Sequence, residues 1–207
     1  MNDFYKTIAP EILEEYAEKT GLGGEYPLDL RKFVDFFPKK NCRVLEVGCG
    51  TGRLGVHLIT MSDYVGIDFH EIYLNYFREK LKRRGISFAE EQLKNISFLK
   101  YEGKSFDVVL FPWSVMGDFT KEGEQSEVLR KAKNLLLEKG VIILDNPAKG
   151  AEYNTALGYE PIIFYFDDWK DKFSGLGFSQ AKQILYTTQT GRKREIAILY
   201  PYRETWI

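Results

Sequence analysis

The sequence predicts an α/β protein built on a doubly wound, largely parallel sheet, and three observations carry that prediction. Short apolar runs of strand length alternate with stretches of helical spacing over most of the chain, the pattern that successive βαβ units leave. The first run, Val44-Leu45-Glu46-Val47, enters a turn with three alternate glycines, Gly48, Gly50 and Gly52, ahead of a helix-like segment. The chain closes differently, in two β-rich runs, Gln183 to Thr188 and Glu195 to Tyr200. Gln189-Thr190-Gly191-Arg192-Lys193-Arg194 between them is a hairpin signal.

From the amino end, Ile8, Ile12, Leu13 and Tyr16 recur at helical spacing with acids opposite, which predicts an amphipathic helix over 8–19. The stretch from Gly21 to Pro27 breaks it, and Leu28 to Phe37 reads as a second helix stopped by Pro38. The first strand has the unbroken apolar character of a strand buried on both faces. Glu46 is the exception there: a buried carboxylate is costly unless paired, so it meets a ligand or a neighbouring backbone donor. The second run, Tyr64 to Phe69, ends in Asp68, about 20 residues past the glycine loop, where an acid that binds ribose hydroxyls is expected. The alternative makes Asp68 the N-cap of a helix from Glu71 onward. Ile86 to Glu91, leading into Gln92 to Phe98, predicts a third element, and Phe106 to Phe111 a fourth. Leu135 to Gly140 turns into a fifth strand ending at Asp145, with an apolar run too short to span a membrane.

The order E-x-G-x-G-x-G over Glu46 to Gly52, then Asp68, then Phe106-Asp107-Val108-Val109, then the Leu137-Glu138-Lys139-Gly140 turn resembles the class I S-adenosylmethionine-dependent methyltransferases. The dinucleotide spacing G-x-G-x-x-G is not met, because Arg53 stands where its third glycine would fall. The resemblance covers roughly residues 40–200. It implies a Rossmann-like, seven-stranded, mostly parallel sheet closed by the C-terminal antiparallel hairpin, in one domain spanning 1–207 with 1–38 as a helical cap over the site. It also implies S-adenosylmethionine as cofactor, with S-adenosylhomocysteine as product. The loop Gly48-Cys49-Gly50-Thr51-Gly52, with Glu46, would cradle the methionine portion, while Asp68 takes the ribose and Phe69 offers an apolar face to adenine. The family's D-A-x-x-L-P-F segment, aligned on Phe106-Asp107, puts Gln92 at the adenine-binding acid and Leu93 at the alanine, or Glu91 in a shifted register. Phe111 ends the strand beside the cofactor, and Phe111 to Phe119 occupies the place that faces the acceptor.

Within that place Pro112, Trp113 and Met116 are expected at the substrate, joined by Tyr26 from the glycine-rich connection. Trp113 is read either as stacking on a planar or cationic substrate or as packing beneath the cofactor. An Asn-Pro-Pro-Tyr type motif is missing. Tyr26, Asp118, Asp145, Tyr153, Glu160 and Asp167 are further polar candidates, none singled out as catalytic, and Asp145 reads more as a cap. His57 reads as a helix-surface or packing residue, His70 as a helix-start residue, and Arg192 to Arg194 as a solvated turn.

Composition narrows the classes. The 207 residues suit one domain, and 29 basic against 30 acidic side chains, net −1, argue against a large basic nucleic-acid footprint while leaving room for a local patch. Cys42 and Cys49 match neither a zinc spacing nor a redox pair, and no His/Cys cluster suggests a metal. The start of the chain lacks the basic-then-apolar order of a signal peptide, which predicts a cytoplasmic protein. The expected function is methyl transfer to a small-molecule N, O or C acceptor, without nucleic acid or membrane. The alternatives are a protein or RNA methyltransferase docking on the N-terminal helices and the Arg192 to Arg194 turn, a noncatalytic cofactor-binding subunit, and, more weakly, a nicotinamide oxidoreductase.

Overall fold

The computed structural model describes residues 7–103, 105–151 and 163–201. Seven strands form one sheet: β1 (Arg43–Val47), β2 (Asp63–Asp68), β3 (Leu93–Asn95), β4 (Phe106–Phe111), β5 (Leu136–Pro147), β6 (Gln180–Thr187) and β7 (Lys193–Tyr200). They lie in the order β3-β2-β1-β4-β5-β7-β6. Strands β1 to β5 run parallel, whereas β7 is antiparallel to both β5 and β6. The strand order therefore reverses between β1 and β4, and the carboxyl ends of those two strands open the crevice in which such sheets hold ligands. The sheet is the one the sequence predicts, with the hairpin wound back so that its second strand fills the gap beside β5.

Helices cover both faces. Helix α2 (Leu28–Val34), α3 (Gly55–Met61) and α4 (Glu71–Arg83) bury Leu30, Phe33, Leu58, Leu74, Phe77 and Leu81 against one face. Helix α5 (Glu124–Asn134) and the turns after the short α6 (Phe166–Trp169) bury Val128, Leu129, Phe173 and Leu176 against the other. Strand β4 is buried at all six positions, as expected of a central strand covered on both sides. Helix α1 (Pro10–Lys19) packs on α4. It buries Pro10, Leu13 and Ala17, and leaves Ile12, expected in the apolar stripe, 45% exposed.

Two elements differ from the sequence-based expectation. Helix α2 stops at Val34 rather than at Pro38. Residues Ile86 to Glu91 form a connection instead of a strand, with Ile86 and Phe88 packed on the helical core beside α4. The third strand is only Leu93–Asn95, held by pairing with Gly66, Ile67 and Asp68. Three residues carry too little periodicity to be read from sequence. Among the described residues no helix is long and apolar enough to cross a membrane.

Candidate active site

The three glycines of the loop serve three different ends. A side chain at Gly52 would drive its Cβ to 2.0 Å from the ring of Phe77, and one at Gly48 would meet Val115 at 2.7 Å. Gly50, at φ +51°, has nothing nearer its Cβ position than the Gly48 carbonyl at 4.0 Å. The first two are spacers for packing; Gly50 turns a bare, left-handed stretch of backbone toward open space, as a loop that a ligand approaches closely requires.

Asp68, at the end of β2 and 7% exposed, sits directly beside that stretch. Its Oδ2 accepts from the Gly50 N–H at 3.0 Å and its Oδ1 from the His70 N–H at 2.8 Å. Helix α4 has His70, not Asp68, at its N-cap. Asp68 thus belongs to the glycine loop as much as to the helix start, and each oxygen keeps further acceptor capacity. Burial pushes its carboxyl up to about 6, against the lowering effect of the backbone N–H groups of His70, Gly50 and Phe69. Phe69, half-buried, lies beside the His70 ring at the same edge.

Glu46 takes a tyrosine hydroxyl rather than a backbone donor. It is 2% exposed, and its Oε2 accepts the Tyr64 hydroxyl at 2.6 Å. Gly66, paired with Glu46 across β1 and β2, makes this contact possible, since a Cβ there would lie 2.4 Å from the Tyr64 oxygen. Burial raises the Glu46 carboxyl to about 8, with the Tyr64 hydrogen bond and Arg53 opposing. A carboxyl raised on folding stabilises the protein fully only below its unfolded value near 4.5 and loses that contribution as pH rises toward 8. Glu46→Gln should therefore flatten the fall in stability between about pH 5 and 8, by at most about 1.4 kcal/mol per pH unit. Denaturation midpoints measured across that range check this, and parallel curves for the two proteins would refute it.

Other expected contacts move. Gln92 lies one residue below the β2–β3 pairing that starts at Leu93; its carbonyl accepts from the Ala89 N–H at 2.8 Å and its amide donates to the Tyr64 carbonyl at 3.2 Å. It braces the amino half of β2, away from Asp68. Leu93 is 3% exposed in the core. The residue that the β2–β3 register sets beside Asp68 is Asn95, exposed, followed by Ile96, whose N–H donates to the Asp68 carbonyl. Read from Asn95, the segment Asn95-Ile96-Ser97-Phe98-Leu99-Lys100-Tyr101 matches D-A-x-x-L-P-F at the leucine and, with an aromatic, at the last position. Phe111 and Met116 are both fully buried, packed in the core on the α5 side. Cys49 is buried with its thiol toward Gly66, and burial pushes that thiol well up, Asp68 and Glu46 adding to the effect. The Thr51 hydroxyl donates to Glu14 of α1, which also takes Lys80 of α4.

The loop after β4 is strained and tightly held. Trp113 and Ser114 adopt φ of 48° and 68°, values that non-glycine residues keep only where the surroundings enforce them. Asp145 does so: its Oδ2 accepts from the Trp113 N–H and its carbonyl from the Ser114 N–H. Its carboxylate, 0% exposed, also takes two hydrogen bonds from Arg194 and one from the Tyr186 hydroxyl. The expectation that Asp145 caps the next element is thus replaced by a buried ion pair. Arg194, expected in a solvated turn, is its partner, with Arg192 reaching the Tyr16 hydroxyl. The Trp113 indole is stacked on by Tyr16 at 5.8 Å, with the Arg53 guanidinium 5.4 Å above it. Tyr26, by contrast, stands edge-on to His57 and under Arg31. The aromatic that covers Trp113 is therefore Tyr16, already visible in the helical stripe, and not Tyr26. Pro112 is buried beneath this turn.

Arg53 itself makes a bidentate pair with Asp29 of α2 and donates to the Leu22 carbonyl, fastening the N-terminal segment to the glycine loop. A cavity of about 570 Å³ lies behind it, between α1, the Gly23 to Glu25 connection and α4. It touches neither Gly50 nor Asp68 and carries charges of both signs. His57 lines it, with its imidazole lowered by burial and by Arg84, Lys80 and Arg53. Asp118 falls in a turn after the strained loop and Asp167 in α6. Tyr153 and Glu160 lie outside the described residues. No metal-holding group of His, Cys, Asp and Glu occurs among the described residues.

A parallel sheet with a reversed seventh strand, a glycine turn bare at its middle residue and an acid bonded to that residue together define the class I methyltransferase fold. The sequence model of the methyltransferase domain matches residues 38–190, and the chain belongs to that family, the S-adenosylmethionine-dependent methyltransferases. No curated protein matches it in sequence. Solved structures do match in fold. One is a Thermotoga maritima protein described as an S-adenosylmethionine-dependent methyltransferase, possible histamine N-methyltransferase: TM-score 0.69, 16% identity, 92% of this chain and 95% of that one covered. The glycopeptide N-methyltransferase MtfA matches with TM-score 0.67 and 12% identity over 83% of this chain and 88% of its own. DesVI of Streptomyces venezuelae matches with TM-score 0.63 and 15% identity over 90% and 97%.

Proposed function

We propose that the chain methylates a small molecule, holding its cofactor across the carboxyl ends of β1, β2 and β3. The observation that carries this is the pairing of the bare Gly50 backbone with the Asp68 carboxylate at the point where strand order reverses. In this reading Gly48, Gly50 and Gly52 shape the methionine end, Asp68 takes the ribose diol, Phe69 covers adenine, and Asn95 with the Ile96 backbone reads its edge in place of Gln92 and Leu93. S-adenosylmethionine supplies a methyl group on a sulfonium, already activated as an electrophile. The protein's share is to orient the acceptor and to keep water out. Helix α1, as part of a 1–38 cap, serves the second task, since Glu14 and Tyr16 reach the glycine loop and Trp113.

Balanced charge favours a metabolite over nucleic acid, and of the structural neighbours one is described as a glycopeptide N-methyltransferase and one as a possible histamine N-methyltransferase. A cytoplasmic site of action fits the same reading. Calorimetry tests the cofactor site. Asp68→Ala should weaken S-adenosylhomocysteine by about 1–3 kcal/mol, and wild-type affinity should fall as pH drops below about 6, where Asp68 gains its proton. Affinity indifferent to both changes would remove Asp68 from the site, and tighter binding of NAD would favour an oxidoreductase. RNA or DNA binding that falls steeply with salt, with methylation of the polymer, would overturn the metabolite reading.

A further inference from the structure

Asn146, the penultimate residue of β5, is 1% exposed, and neither its amide nitrogen nor its carbonyl oxygen has a hydrogen-bond partner among the described residues. Buried side-chain amides are almost always paired, and leaving a donor and an acceptor unmet costs folding free energy. A residue that keeps both unmet among the described residues has a donor and an acceptor to offer a bound molecule.

Its place in the sheet says what kind. Asp145 points to the α2–α4 face, so Asn146 points to the other, with Leu144 and Ile142. It lies two residues past the Phe111–Leu144 pairing, on the carboxyl edge of the sheet beside the strained Trp113 turn. Glu195 is its direct partner on antiparallel β7, so both side chains stand on one face. The Glu195 carboxylate accepts from the Phe166 N–H and the Gln183 amide and not from Asn146. Burial raises Glu195, and Asp167 and Asp168, themselves ion-paired to Lys170 and Lys149, raise it further; the Glu195 carboxyl is the acceptor that an N–H donor reaching Asn146 would meet.

We propose that Asn146 is an acceptor-binding residue and that the acceptor is a small amine. The Asn146 carbonyl takes an N–H of the amine beside the Glu195 carboxylate, and its amide N–H goes to a second heteroatom of the same molecule. The proposal rests on the small-molecule methyltransferase reading and narrows it to one substrate class.

Calorimetric titration of the S-adenosylhomocysteine-loaded protein tests it, with histamine, ethanolamine and glucosamine as probes and glycolate as an anionic control. At least one amine should bind and glycolate should not. Asn146→Leu, similar in size but apolar, should weaken that amine at least tenfold, leave S-adenosylhomocysteine affinity within about twofold, and keep or raise the melting temperature, because an unmet polar pair is removed. Asn146→Ser, which shortens the side chain out of reach, gives the same reading should the leucine variant fail to fold. A lower melting temperature with unchanged amine affinity would make Asn146 a structural residue and overturn the proposal, as would binding of glycolate or of none of the amines. Failure of S-adenosylhomocysteine to bind the wild-type protein would instead bring down the cofactor reading, and this inference with it.

Discussion

Asp145→Ala is expected to destabilise the protein by about 3–5 kcal/mol, the cost of stranding a buried charge. The residue removed is fully buried, and it leaves Arg194, 6% exposed, without the two hydrogen bonds and the opposite charge that hold it. Burial alone would lower Arg194, and the Asp145 charge is what keeps it raised. For a chain of this size such a loss shifts the melting temperature by roughly 6–20 °C. The cycle with Arg194→Met separates causes: the double variant should be more stable than Asp145→Ala alone, because the stranded charge has gone with its partner. Calorimetric melting of the four proteins checks this, and a double variant no better than the single one would mean that the ion pair is not the source of the loss. The same single variant should also loosen the Trp113–Ser114 turn, because it removes the side-chain acceptor of the Trp113 N–H and keeps only the main-chain acceptor of the Ser114 N–H.

How far the sequence reaches into this structure depends on the range of the interaction. Strands β1, β2 and β4 are legible because burial on both faces writes an unbroken apolar run. Asp68 is legible because loop and acid stand at a fixed spacing within one βαβ unit. The third strand is not, since Leu93–Asn95 is set by pairing with Gly66 to Asp68 rather than by its own pattern. The alignment anchored on Phe106-Asp107 reaches Gln92, whereas the β2–β3 register sets Asn95 beside Asp68, and that pairing is not written in the local sequence. Phe111 and Met116 show a second limit. Their positions along the chain are at the crevice, but Phe111 alternates with Leu110 and shares the α5 face with Val109, which turns its ring into the core. The pairs Arg53–Asp29 and Arg194–Asp145 join residues 24 and 49 apart, and nothing in either local sequence names its partner.

Gly52→Ala is expected to cost about 2–5 kcal/mol, comparable to the loss of Asp145, from a single methyl group. Its Cβ would sit 2.0, 2.3 and 2.4 Å from three ring atoms of Phe77. The ring cannot retreat, because it is 0% exposed, stands against Gly55 on one side and meets Tyr64 edge-on on another. Overpacking of this kind costs typically about 1–3 kcal/mol and sometimes more, and the left-handed backbone at φ +77° adds about 1–2 kcal/mol for a residue with a Cβ. Against a whole-domain stability of about 5–15 kcal/mol, the variant should melt well below the wild type. Gly50→Ala is the internal contrast. It shares the backbone term but meets no side chain, so it should fold with a loss of about 1–2 kcal/mol while losing S-adenosylhomocysteine affinity, because its methyl stands in the open space in front of the loop. Pairing Gly52→Ala with Phe77→Leu should recover part of the stability, since a leucine vacates the contested volume. Melting curves and calorimetry of these variants decide the matter. If Gly52→Ala were as stable as Gly50→Ala, the packing role of the third glycine would be wrong, and all three would have to be explained by the ligand alone.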